Sequence, residues 1–277
     1  MMTNYLIAPA LLAATLAGCT GATPQQRTLT AEIAGAGEKM LYFDKFVNTR
    51  PTHVDSVKLD AQGKGEMHLP SMPLDFYSLS LGGEQIMVLL LDSAESISVA
   101  AKADSLQSPA HIEGSVNTAL LHGFFRDSKA FDEQSQALVA RLKADRGDTA
   151  AMAEYAALNA TFGQSTRQFI QEHMGSPAVL AALNRLNPEQ DIALFQQVKD
   201  SLRKTIPHSE YYTGFRDQVD RMAQQMAAAK QQEEQQAMLD NLIPVGSEAP
   251  DFTQNTPDGQ PLSLSSLRGK VVLIDFW

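Results

Sequence analysis

Residues 76–91 read FYSLSLGGEQIMVLLL. Two short runs of apolar and aromatic residues, 76–81 and 86–91, flank Gly82 and Gly83. Glycine takes positive φ at little steric cost, so the pair marks a tight turn and the segment predicts a β-hairpin. The same pattern continues upstream. Leu29, Ala31 and Ile33 alternate with Thr28, Thr30 and Glu32, the period of a half-buried strand. Gly35 and Gly37 make a turn into MLYFDKFV at 40–47, an aromatic-rich strand. VDSVKLDAQGKGEMHL at 54–69 predicts a second hairpin. Val57 and Leu59 alternate before a turn at Ala61-Gln62-Gly63-Lys64, and Met67 and Leu69 alternate after it. Downstream, SISVAA and AHIEG add two more strands. About eight closely spaced strands over residues 27–114 fit an antiparallel sandwich or a barrel-like sheet.

After residue 114 glycine thins out and helix formers dominate. Ser115 or Asn117 is placed to cap a helix with Leu120, Leu121, Phe124 and Phe125 on one face. Asp148 or Thr149 is placed to cap the next helix, which Gly175-Ser176-Pro177 closes. Pro177 and Pro188 introduce two shorter helices, and a last one starts near Ser209-Glu210. Its apolar stripe fades after Met226, so its far end reads as an exposed connector rather than a coiled-coil seam. The helical region spans residues 115–241.

Composition bounds the function. The chain has 277 residues, room for roughly two domains, and a formal net charge of −10. That balance, with no basic cluster, argues against a nucleic-acid partner. The one cysteine, Cys19, permits neither an internal disulfide nor a cysteine-based zinc site. His53, His68 and His111 sit on separate predicted strands without metal-ligand spacing, so no metal site and no cofactor is expected. Tyr42, Phe43, Phe46, Phe76 and Tyr77 could line a ligand groove, although core packing is the simpler role. No catalytic residue is assigned.

The N-terminus carries an apolar run, residues 5–17, too short for a membrane span of ~20 residues and suited to a signal peptide. It ends in Leu16-Ala17-Gly18-Cys19, which resembles the lipobox of bacterial lipoproteins. The resemblance implies that residues 1–19 are a leader and that Cys19 is lipidated, anchoring the chain to a membrane. The first four residues, Met1-Met2-Thr3-Asn4, depart from the usual pattern in lacking a positive charge. Thr20 follows where an Asp would favour inner-membrane retention, which leans towards the outer membrane of the cell envelope.

Residues 245–277 read VGSEAPDFTQNTPDGQPLSLSSLRGKVVLIDFW. From the residues alone, Phe252-Thr253 is a short strand and residues 257–260 are a turn. PLSL is a second strand, SSLRG a helical turn ended by Gly269, and residues 271–276 a strand buried on both faces. Gly246, Ala249-Pro250-Asp251-Phe252, Asp258-Gly259, Leu262-Ser263-Leu264, Leu267, Gly269-Lys270 and the run ending Asp275-Phe276-Trp277 resemble the start of a thioredoxin-like domain. The subclass is the membrane-tethered thiol–disulfide oxidoreductases of the cell envelope. In that family a Trp-Cys-x-x-Cys active site follows within a few residues, and Trp277 would pack beside it. Residues 27–114, with Gly114-Ser115-Val116-Asn117 leading into a helix, resemble the β-rich domain found ahead of such domains in envelope lipoproteins.

The expected fold is therefore α+β and multidomain: a sandwich-like N-terminal domain, a helical middle and a truncated start of a thioredoxin-like domain. The resemblance implies a periplasm-facing oxidoreductase whose redox cysteines lie beyond these residues. Its partners would be disulfide-bearing substrate proteins and a thiol electron donor. The 277-residue chain is expected to be inactive by itself, and residues 271–274 to be an aggregation hazard. Two alternatives stand beside it: a non-enzymatic ligand- or partner-binding lipoprotein, and a peroxiredoxin-like peroxide reductase, whose family shares Ala-Pro-Asp-Phe.

Overall fold

The computed structural model describes residues 27–47, 50–92, 94–242 and 246–275. The leader with Cys19, and Phe276 and Trp277, lie outside the described residues. The fold is mixed α+β, and the chain divides into two units, Met1–Phe215 and Arg216–Trp277, with the division inside the last helix.

Eight strands open the first unit: β1 (Thr28–Ala34), β2 (Met40–Val47), β3 (Arg50–Lys58), β4 (Lys64–His68), β5 (Asp75–Ser80), β6 (Ile86–Leu91), β7 (Ile97–Lys102) and β8 (His111–Glu113). They form two four-stranded sheets, ordered β4-β1-β7-β8 and β3-β2-β5-β6. Alternation places Leu29, Ala31 and Ile33 of β1 inside, as their period requires. They meet Leu41, Phe43, Tyr77, Leu79, Met87, Leu89, Leu91, Ile97 and Val99 in one shared core, so the sheets form a sandwich and not a barrel. Fully burying each large aliphatic side chain contributes about 1.5–3 kcal/mol. Phe43 stacks on Tyr77 at 5.3 Å, and the Tyr77 hydroxyl donates to Pro73 O at 2.9 Å.

Two details differ from the sequence expectation. Five of the six strand pairings in the sandwich are antiparallel, but β1 and β7 pair in parallel. Residues 54–69 are a corner and not a hairpin: β3 stays with β2, while β4 crosses to β1. The cause is local. The Asp60 carboxylate accepts from the N–H groups of Gln62 and Lys64, at 2.9 and 2.8 Å, and tightens the turn. Gly63, at φ +82°, then brings its carbonyl to the Ile33 N–H at 2.8 Å. A Cβ at Gly63 would lie 2.2 Å from Ile33 O, so glycine is required to dock this corner on β1. The hairpin of β5 and β6 forms as its sequence predicts, with Ser80 opposite Ile86.

All six residues of β5 are buried. Tyr77 and Leu79 face the sandwich core, whereas Phe76 packs with Leu121 and Ala178 of the helical layer. The first unit is thus sheet on sheet on helices. Its helices are α1 (Val116–Ala144), α2 (Thr149–Glu172), α3 (Val179–Leu183), α4 (Ile192–Thr205) and the start of α5 (Glu210–Leu242). Ser115 and Asp148 are the caps of α1 and α2, their side chains accepting from the N–H groups of Thr118 and Ala151. Phe131 stacks on Phe162 at 4.1 Å, and Arg141 pairs with Asp148 and Glu154, so α1 and α2 run antiparallel. Of the predicted α1 face, Leu121 and Phe124 are buried and Phe125 is exposed.

In the second unit, β9 (Thr253–Asn255) and β10 (Pro261–Ser263) pair antiparallel around a turn with Gly259 at φ +75°, and a 3₁₀ turn, Leu264–Leu267, follows. This matches the predicted strand, turn, strand and helical turn. The predicted buried strand at 271–276 does not form over its described residues. Val271 and Leu273 are fully exposed, and Val272 and Ile274 are about 40% exposed. β9 and β10 pair only with each other among the described residues, and residues 271–275 join neither of them. Without hydrogen-bond partners or a cover, β-branched side chains do not hold a strand.

Candidate functional site

Helix α1 is placed by its own N-terminus. Gly114, at φ +91°, turns the chain from β8 into the Ser115 cap, and a Cβ there would sit 2.0 Å from Ser96 O. α1 then lies along β6, an edge strand of its sheet. Edge strands expose unpaired backbone groups. On β6, Leu90 N–H, Leu90 O and Val88 O take side-chain partners from the start of α1 and its cap. Thr118 Oγ1 donates to Leu90 O and accepts from Leu90 N–H, both at 2.9 Å. Ser115 Oγ lies 2.9 Å from Leu90 O and 3.0 Å from Glu95 Oε2, its single proton serving one at a time. His122 Nε2 donates to Val88 O at 2.7 Å. A carbonyl only accepts, so the proton sits on Nε2. Thr118 and His122, four apart on the helix, span about 6 Å, close to the two-residue repeat of a strand.

This geometry tunes two titratable groups. Burial, outweighing the bond to Val88, pushes the His122 imidazole below its ordinary value and keeps it neutral. Burial likewise pushes the Glu95 carboxyl up, against the bond from Ser115.

The next face of α1 is left open. Between it and residues 107–112, which form β8 and its approach, runs a groove of about 530 Å³. Ala119, His122, Gly123, Arg126 and Lys129 line the helix side, and no carboxylate lines either wall. His111 lies on the facing wall, 3.4 Å from exposed Glu113. Exposed Phe125 adds an aromatic surface. β8 is the edge of its own sheet and is paired only with β7 among the described residues.

The other sequence candidates stay apart. His53 lies 3.3 Å from Asp44 on the opposite sheet edge, and His68 is exposed on β4. Among the described residues no three His, Cys, Asp or Glu side chains gather as a metal site. Phe43 and Tyr77 lie in the sandwich core, Phe76 and Phe46 both pack on Tyr211 beside the helical layer, and Tyr42 lies edge-on to His53, so the five do not gather in one place. His122 and Arg126 were not singled out by sequence. The available signal was Ser115, Thr118 and His122, polar side chains at i, i+3 and i+7 interleaved with apolar Leu121 and Phe124.

In the second unit the Asp251 carboxylate accepts from Ser265 N–H at 2.7 Å and from the Ser265 hydroxyl, which holds it below the usual carboxylate range. Ala-Pro-Asp-Phe is thereby tied to the start of the 3₁₀ turn. No helix among the described residues is long and apolar enough to cross a membrane. Comparison with protein-family models, with curated proteins and with solved structures finds no match to this chain.

Proposed function

We propose that this chain is the anchoring and scaffold part of an envelope thiol–disulfide oxidoreductase of the thioredoxin-like class. The observation that carries the reading is residues 246–275: the motif order of that class, with strand, turn, strand and 3₁₀ turn in the same sequence and Asp251 locking the last of them. Cys19 supplies the lipid anchor at the envelope, the outer membrane being favoured. The chemistry of the class is attack of a thiolate on a substrate disulfide, then resolution by a second cysteine, with a thiol donor restoring the dithiol. With Cys19 as its single cysteine, the 277-residue sequence holds no dithiol and is inactive in this exchange.

The test is the codons downstream of Trp277 in the natural gene. A Cys-x-x-Cys within about ten residues supports the reading, because in that class the nucleophile sits at the start of the helix that follows this segment. A continuation without cysteines contradicts it. The groove between α1 and β8 favours a second reading, in which the sandwich binds a partner at the membrane and performs no chemistry.

A further inference from the structure

We propose that the groove between α1 and β8 binds an extended, acidic peptide segment of a partner protein as an added strand. This does not rest on the redox reading.

The two sheets end differently beside α1. On β6, Leu90 N–H, Leu90 O and Val88 O are bonded by the side chains of Ser115, Thr118 and His122. Among the described residues β8 is paired only with β7, and its His111 and Ile112 line the groove. A free edge beside a trough is the arrangement that β-augmentation uses: main-chain bonds give affinity and flanking side chains choose the sequence. The helix wall from Ala119 to Lys129 runs about 15 Å. At about 3.3 Å per residue, an extended segment of four or five residues fills it.

Charge selects the occupant. The chain carries −10 overall, yet the side chains that line this groove include the cations Arg126 and Lys129 and no carboxylate, while His122 is neutral and His111 faces Glu113. Arg126 is exposed and makes no ion pair among the described residues, and Lys129 reaches only exposed Glu133, at 3.9 Å. Gly123 supports the same reading. Glycine inside a helix costs about 1 kcal/mol against alanine. A Cβ at Gly123 would meet only Arg126 Nη2, at 3.9 Å, so packing does not demand glycine. Its effect is to keep the groove floor open.

The probe is a fluorescein-labelled, N-acetylated octapeptide alternating Glu with Val, titrated into the protein and followed by anisotropy. Binding should weaken roughly tenfold in R126E/K129E, whose side chains are exposed and whose thermal stability should be unchanged, the scale of reversing two solvent-exposed charges. Gly123→Leu should weaken it similarly by filling the floor. An octapeptide with Pro at the Val positions and N-methylated Glu keeps the charge but has no N–H to donate to the strand edge, and should not bind. No binding of the Glu-Val peptide overturns the proposal. So does equal binding of the Pro peptide, which would make the groove a general anion site, or an unchanged affinity in R126E/K129E. Self-association of the protein that Gly123→Leu abolishes would also overturn it, by making a second copy of this chain the occupant.

Discussion

Thr118 Oγ1 and the backbone of Leu90 satisfy each other in both directions, the hydroxyl donating to the carbonyl and accepting from the N–H at 2.9 Å each. A helix side chain thus takes the place of a fifth strand on β6. Thr118→Val keeps the shape and removes both bonds, leaving the Leu90 N–H buried without a partner. The expected loss is about 1–3 kcal/mol in urea unfolding, with Thr118→Ser close to the parent. A neutral Thr118→Val would show that the pair holds nothing.

His122 gives this clasp a pH dependence. Its folded pKa is depressed by burial, so the unfolded chain takes up the proton first. Stability should therefore fall as pH drops below about 6.5, the ordinary histidine value, towards the depressed folded value. Glu95, whose carboxyl is raised, acts with the opposite sign, losing stability as pH rises through its raised folded value. Comparison with His122→Gln separates the two, since the Gln amide donates to Val88 O without titrating. The variant should lose less stability than the parent between pH 7 and pH 5.5 in thermal melts. Parallel pH profiles would show that His122 is not the titrating group.

Asp75 ties three elements together. Its buried carboxylate pairs with Lys45 at 3.1 Å and accepts from the Ser209 hydroxyl at 2.8 Å and from Phe76 N–H at 2.9 Å. Asp75→Ala strands the Ser209 hydroxyl and the Lys45 charge, and should cost about 2–3 kcal/mol, discounted because Lys45 is one-third exposed. Asp75→Asn retains an acceptor and should cost less. Chemical denaturation of the two variants checks the order.

Val271 and Leu273 are fully exposed apolar side chains in a β-branched-rich segment that pairs with no described strand. Such segments template pairing with other chains. V271K/L273K should lower light scattering and raise soluble yield, with the first unit's thermal transition unchanged. Equal scattering would clear this segment as the source of association.

The strands were legible because alternation has a period of two, and Leu29, Ala31 and Ile33 announce their inward face directly. The helix caps were legible because Ser115 and Asp148 precede apolar-periodic runs. The corner after β3 was not, since Ala61-Gln62-Gly63-Lys64 suits a hairpin as well; the choice is made by Gly63 docking on Ile33, a contact between distant residues. The parallel pairing of β1 with β7 was hidden for the same reason. The buried strand at 271–276 was read from composition, and composition does not supply a neighbour. The groove was illegible because its walls, residues 107–112 and 119–129, become a site only when α1 swings onto β6 and leaves β8 open.

The central claim is tested most directly by insulin disulfide reduction with dithiothreitol as donor, using the product of the natural gene in membrane fractions. The 277-residue chain serves as the control. The account predicts catalysed reduction by the gene product, loss of its membrane association in Cys19→Ser, and no catalysis by the 277-residue chain. Peroxide consumption without insulin reduction, or no turnover of either substrate by a folded gene product, would contradict it.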